Sequence, residues 1–401
     1  MTEAYVFEAI RTPRGAAKET GALHAVKPVS LVAGLLRAIA ERTRIDPARV
    51  EDLILGCSTA YGDQGGNIAK TALLFAGWPE SVSGMTVNRY CISGLEAVAV
   101  AAAKVASRAA ELVLAGGVES MSRVPMMADR ASWFADPEIA RATRFVHMGI
   151  AADLIATLDG RTREELDDVA VRSHARAAAA AREGRFARSI VPVRDAAGDV
   201  VLDRDETVRE GLTKEKVARL PPAFVDIGAA GHDAVALAAH PEAAAIAHLH
   251  TVATSPAMVD GASLVLVGTL EAGRALGLAP RARVVSYATC SSDPVVMLGS
   301  PAPATRKALA RARRDVEDVG LFEHNESFAA TMLRYERELG LDPERVNPNG
   351  GALALGHPLG ATGGILVGAL LDEMDRRQVE TGVVALCAGA GLGAAMVLAR
   401  S

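Results

Sequence analysis

The stretch Val87-Asn88-Arg89-Tyr90-Cys91-Ile92-Ser93-Gly94-Leu95-Glu96-Ala97 decides how the rest of the chain is read. A β-branched residue and a turn lead into a cysteine, and the Ala-rich run over residues 97–110 is built from residues that favour helix. Cys91 is therefore expected where a strand gives way to a helix. Backbone N–H groups left unpaired at a helix start, together with the aligned peptide dipoles, stabilise an anion there, so a thiol at this place should ionise more easily than one in open water. That is a nucleophile's position. The plain alternative is a small buried packing residue, because free cysteines are mostly buried and inert. Partners elsewhere in the chain have to decide between the two.

Outward from this stretch, strands and helices alternate. Residues 4–10 read as a buried strand and residues 28–44 carry apolar side chains at helical spacing. Residues 53–57 form a short strand, followed by a glycine-rich loop over 62–67 and a helix over 68–75. The loop lacks the Lys-Ser/Thr ending of a phosphate-binding loop, so it is assigned a turn-making role. Residues 112–117 read as a strand that ends in glycines. This alternation places the chain in the α/β class, as a sandwich of layers.

The composition changes near Ser120. Residues 121–249 are rich in charge and lose the alternation, although 163–182 read as an Ala-rich helix. An excursion of this length usually covers a binding site or builds a subunit contact. Sheet-like sequence returns at 263–267, and the early pattern then recurs. Residues 282–286 resemble the first strand and 320–323 the second, Val346-Asn347 echoes Val87-Asn88, and 383–389 echo 112–117. Two similar halves are implied, 1–120 completed by 250–270 and 271–401, with 121–249 as a loop domain and the chemistry in a cleft between the halves.

Composition excludes several classes of function. With 401 residues, half of them hydrophobic but only 4% aromatic, the chain can build a large core of alanine, valine and leucine. A net charge of −5 leaves no basic footprint for nucleic acid. The opening residues have neither the order of a secretory signal nor the character of a transit peptide, and no apolar run reaches the ~20 residues needed to span a bilayer. A cytoplasmic location is the expectation. Cys57, Cys91, Cys290 and Cys387 lie far apart with no C-x-x-C pair, which argues against a zinc site and against structural disulfides.

Three further stretches stand beside Cys91. They are Glu323-His324-Asn325-Glu326-Ser327-Phe328-Ala329, the glycine-rich Asn349 to Gly363 around His357, and Cys387-Ala388-Gly389-Ala390-Gly391-Leu392-Gly393. Four such motifs in this order make the chain resemble a thiolase nearly end to end. Within that family it is most like the 3-ketoacyl-CoA thiolases of β-oxidation, judging from residues 116–126 and 299–307. The resemblance implies a five-layered α-β-α-β-α sandwich. It also implies an acyltransferase without a permanently bound cofactor, using acyl-CoA and coenzyme A as substrates.

By that resemblance Cys91 is the nucleophile that carries the acyl group as a thioester, and His357 takes its proton. Cys387 is the general acid/base at the α-carbon of acetyl-CoA. One oxyanion hole would use His357 with a water held by Asn325, the other the backbone N–H groups of Cys91 and Gly389. His147, Met148, Met297 and Phe328 match positions lining the acyl and pantetheine tunnel, although each alone would pass for ordinary core. Arg219 and Lys214 are candidates for the CoA phosphates.

Three residues depart from the usual pattern. Ala390 stands where glycine is commoner, Pro256 where a residue touching CoA is expected, and Ser327 where alanine is commoner. The implied assembly is a homodimer or homotetramer, with a hydratase/dehydrogenase subunit of a β-oxidation complex as a further partner. Three other readings stay open: a biosynthetic acetoacetyl-CoA thiolase using the same residues in reverse, a decarboxylating ketosynthase, and a non-catalytic acyl-CoA or sterol binder. Cys387 argues against the ketosynthase, which lacks a second catalytic cysteine.

Overall fold

The computed structural model describes residues 2–401. The first half of the chain supplies strands β1 (Tyr5–Arg11), β2 (Asp52–Gly56), β3 (Ser83–Val87), β4 (Leu112–Ser120) and β5 (Val259–Gly268). Its helices are α1 (Pro28–Thr43), α2 (Ile68–Phe75) and α3 (Ser93–Ala106). Between β4 and β5 lie α4 (Met148–Leu158) and α5 (Arg163–Arg182), with several shorter turns of helix. The second half supplies β6 (Ala282–Ser291), α6 (Pro301–Ala312), β7 (Leu321–His324), α7 (Ala329–Leu339), α8 (Leu359–Arg377), β8 (Thr381–Ala388) and β9 (Leu392–Arg400).

The internal repeat visible in sequence is a repeat of topology. The strands run in the order β7-β8-β9-β6-β1-β5-β4-β2-β3, within a ten-stranded sheet that also includes the short Gly15–Ala16 pairing on β5. Outward from the centre, β1-β5-β4-β2 on one side matches β6-β9-β8-β7 on the other. Even β3 has its counterpart, because Val346 bridges in parallel to Phe322 of β7. The strands of the two halves join edge to edge through β1 and β6, where Tyr5 faces Arg283 and Val6 faces Ala282.

Helices cover both faces, so the strands read as apolar runs whose alternate residues feed different cores. Leu112 and Leu114 of β4 enter the core under α1 and α2, while Val113 and Ala115 enter the one around α3 and α8. In β8, Val384, Leu386 and Ala388 face the α3/α8 core, whereas Val383, Ala385 and Cys387 face α6 and α7. The succession α1/α2, sheet, α3/α8, sheet, α6/α7 gives the five layers. Each fully buried leucine or valine contributes on the order of 1.5–3 kcal/mol to holding them together.

Glycine lets the two middle helices meet. A Cβ on Gly94 of α3 would lie 2.5 Å from Gly360 O, and one on Gly363 of α8 would lie 1.9 Å from Leu95 N. No side chain fits between backbones at that spacing. The starts of α3 and α8 therefore touch, and so do the loops that lead into them, carrying Cys91 and His357.

The charged stretch between β4 and β5 docks on the second half. Ile150, Leu154, Leu166 and Val169 of α4 and α5 share a core with Met332 and Tyr335 of α7. A buried ion pair ties it to the first half as well, with Arg11 Nη1 and Nη2 on the two carboxylate oxygens of Asp205 at 2.7 and 2.8 Å. The glycine-rich loop over 62–67 makes turns, as expected: Gly62 and Gly66 adopt φ of 53° and 64°, and Asn67 caps α2. No helix of the described residues is long and apolar enough to cross a membrane.

Candidate active site

Cys91 sits between β3 and α3. The turn before it is held by Ser93, whose Oγ accepts from Arg89 N at 2.8 Å and donates to Tyr90 O at 2.6 Å, with Tyr90 at φ 50°. The placement agrees with the sequence reading; the ionisation does not. Burial, then the neighbouring Cys387 and Glu119, push the Cys91 thiol up, while its own N–H and that of Gly389 pull the other way. A helix start is worth about one pH unit or less and burial up to several, so burial wins. The thiol rests protonated and needs a base.

His357 precedes α8 and is buried. Its Nδ1 lies 2.7 Å from Thr362 Oγ1 and its Nε2 3.3 Å from Asn325 Nδ2. With the Asn325 amide assigned so that Nδ2 faces the ring, Nε2 holds the lone pair and Nδ1 carries the proton toward Thr362. Burial, with Arg14 nearby, lowers the imidazole to about 3. It is neutral near pH 7, as a proton acceptor must be. No hydrogen bond joins His357 to Cys91 among the described residues, since Nε2 is turned to Asn325.

Cys387 lies at the end of β8, fully buried, and its Sγ is 3.0 Å from Ser327 Oγ. Asn325 Nδ2 donates to the same Ser327 Oγ at 2.9 Å. Four side chains from three parts of the chain thus form one line, Cys387–Ser327–Asn325–His357. Cys91 lies beside it, because a Cβ on Gly389, two residues after Cys387, would sit 3.5 Å from the ring of Tyr90, and Cys91 packs against the core that contains Ala388.

Glu119 holds this assembly from behind. Its buried carboxylate accepts from Ser58 N at 2.8 Å, Thr59 N at 3.0 Å, Gln64 Nε2 at 3.0 Å and Gly360 N at 2.9 Å. It therefore ties the loop after His357 to the end of β2. A Glu119→Ala variant would strand these donors, and a loss of about 3–5 kcal/mol is expected in urea unfolding.

The tunnel candidates are spread more widely. Phe328 is buried, with its ring 5.9 Å from Phe224, whose ring is 5.8 Å from His147. Met148 and Met297 pack into the same core as Phe328 and Cys387. Arg219 is exposed beside the short helix Lys214–Ala218, and nothing links it to the cluster. Lys214 pairs with Asp168 on the surface.

The departures acquire physical content here. Ala390 adopts φ 60° and ψ 26°, the left-handed region that favours glycine, so the substitution bears on the backbone. Pro256 follows a tight turn in which Thr254 Oγ1 accepts from Thr251 N at 2.8 Å. Two contributors escaped the sequence reading. Thr362 lies five residues beyond His357 inside the quoted motif but was not singled out. The Trp133 ring packs tilted against Tyr90 with centroids 5.3 Å apart, and a Cβ on Gly389 would lie 3.1 Å from it. No periodicity could have pointed Trp133 there.

Comparison with known proteins shows the family. The family model described as "Thiolase, N-terminal domain" matches residues 4–235, and "Thiolase, C-terminal domain" matches residues 278–400. The chain belongs to the thiolase family. It is 39% identical to a 3-ketoacyl-CoA thiolase of Bacillus subtilis across 99% of both chains. It is 37% identical to a steroid 3-ketoacyl-CoA thiolase of Mycobacterium tuberculosis, covering 100% of this chain and 95% of that one. The crystal structure of a Bacillus anthracis acetyl-CoA acetyltransferase superposes with a TM-score of 0.86 at 35% identity, over 100% of this thiolase and 99% of that chain.

Proposed function

We propose that this thiolase cleaves 3-ketoacyl-CoA with coenzyme A to give acetyl-CoA and a shortened acyl-CoA. The observation that carries the proposal is the buried line Cys387–Ser327–Asn325–His357 with Gly389 set against Tyr90, next to Cys91. The names of the full-length relatives support the degradative direction.

In this reading His357 Nε2 takes the Cys91 proton as the sulfur attacks the 3-keto carbon. The C2–C3 bond breaks, its electron pair passes into the enolate of acetyl-CoA, and Cys387 protonates C2. Coenzyme A then gives its thiol proton to the Cys387 thiolate and attacks the Cys91 thioester, His357 returns its proton to the departing Cys91 sulfur, and the acyl-CoA leaves. Asn325 and His357 stabilise one developing oxyanion, the N–H groups of Cys91 and Gly389 the other. His147, Met148, Met297 and Phe328 are assigned to the acyl and pantetheine tunnel. Arg219 keeps only its charge and exposure in favour of a role at the CoA phosphates.

Condensation of two acetyl-CoA is the second reading, favoured by the likeness to the acetyl-CoA acetyltransferase. A chain-length series of 3-ketoacyl-CoAs separates the two. Activity that rises beyond four carbons supports the first, and activity confined to acetoacetyl-CoA overturns it.

The pH dependence follows from the buried imidazole. A histidine lowered to about 3 stays neutral through the physiological range. On the acid side, kcat/KM is therefore expected to show no step near the ordinary histidine value of about 6.5. A bell with its acid limb at that value would contradict the burial of His357.

A homodimer, soluble in the cytoplasm, is the proposed assembly. Edge strand β3 and the exposed Tyr61, Leu74 and Phe75 near it support the contact.

A further inference from the structure

We propose that Ser327 is a positioning residue that supplies the only hydroxyl donor to Cys387 among the described residues and so sets the pH at which that sulfur takes a proton from carbon. The inference rests on the thiolase reading and on Cys387 as the α-carbon base, and concerns a residue where this chain carries serine in place of the commoner alanine.

The argument is one of hydrogen-bond accounting. A serine hydroxyl has one O–H to give and two lone pairs to receive with. Ser327 is buried, and Asn325 Nδ2 occupies one lone pair at 2.9 Å. Among the described residues the other contact of Oγ is Cys387 Sγ at 3.0 Å. The O–H therefore has a single outlet, the sulfur. While Cys387 is a thiol, either group can donate to the other. Once Cys387 is a thiolate it only accepts, and the Ser327 hydroxyl turns to meet it.

Asn325 makes this arrangement directional. Its Nδ2 is shared between Ser327 Oγ and His357 Nε2 at 3.3 Å, which keeps the serine from pointing its proton back toward the amide. Alanine at 327 would leave Cys387 with its own backbone N–H as sole donor. The titratable groups that face Cys387 are the Cys91 thiol ahead of α3 and, beyond Ser327 and Asn325, the neutral imidazole of His357. Burial raises the Cys387 thiol to about 11, with the Ser327 hydroxyl and the backbone N–H opposing it.

The step affected balances simply. The α C–H bond of bound acetyl-CoA breaks, its proton passes to the Cys387 thiolate to form S–H, and the electron pair moves onto the thioester oxygen as enolate. A donor to the thiolate lowers the pH at which the base exists. Removing that donor raises it.

The test follows exchange of the acetyl-CoA α-protons with deuterium from D2O, as a function of pH, in the full-length protein and in Ser327→Ala and Ser327→Thr. In Ser327→Ala the rising limb of the exchange rate should move to higher pH by about one unit, with a roughly tenfold loss at neutral pH. Ser327→Thr keeps the hydroxyl and should restore the limb. An unchanged limb in Ser327→Ala overturns the proposal. Mass spectrometry of the wild-type protein after exposure to acetoacetyl-CoA reports separately on the reading beneath it: an acetyl adduct on Cys91 supports that reading, and no adduct overturns it.

Discussion

A Cys91→Ala variant is expected to lose both half-reactions together, with kcat/KM for 3-ketoacyl-CoA cleavage falling roughly ten-thousandfold or more. The size of the loss follows from what replaces the sulfur. Without Cys91 no covalent carrier exists between the departure of acetyl-CoA and the arrival of coenzyme A, so both steps would have to occur on one unbonded substrate. Neither neighbour can substitute. Cys387 faces the α6/α7 side and is held by Ser327, while burial, and then the neighbouring Glu119, pushes the Cys57 thiol far up. Folding should be little affected, because the change removes one sulfur atom to which no other side chain hydrogen-bonds among the described residues. The measurement is steady-state cleavage alongside mass detection of the acyl adduct. Activity within tenfold of wild type would remove Cys91 from the nucleophile's role.

How much of this was readable beforehand can be traced through particular residues. Helices α2 and α5 fall where their spacing puts them, because local propensity and tertiary burial agree there. Helix α3 begins at Ser93, before the Ala-rich run expected to open it, because the Ser93 hydroxyl caps the preceding turn and closes it early. Strand β9 was not recognised as one. Leu392–Arg400 is apolar on both faces, and a run of that kind lacks the alternation that marks a strand.

The site was legible as motifs and illegible as ionisation. The helix-start argument gave Cys91 the right address and the wrong pKa direction, because the sequence carries no measure of how deeply Cys387 and Glu119 crowd the same space. Ser327 read as a minor change for the same reason. A hydroxyl matters only once its sole acceptor is known to be a buried sulfur sixty positions away.

Replacing Cys387 by alanine should divide the reaction in a way that the Cys91 variant does not. Proton transfer at the α-carbon loses its carrier, so deuterium exchange into acetyl-CoA and overall turnover should each fall by roughly a thousandfold. The Cys91 thiol keeps its base, since His357 remains anchored by Thr362 and Asn325, so acylation of Cys91 by a simple acyl-CoA should survive. The ratio of adduct formation to exchange is the quantity to measure. A Cys387→Ala variant that loses both equally would mean that the two sulfurs act on a single step, and that the separation of nucleophile from proton carrier is mistaken.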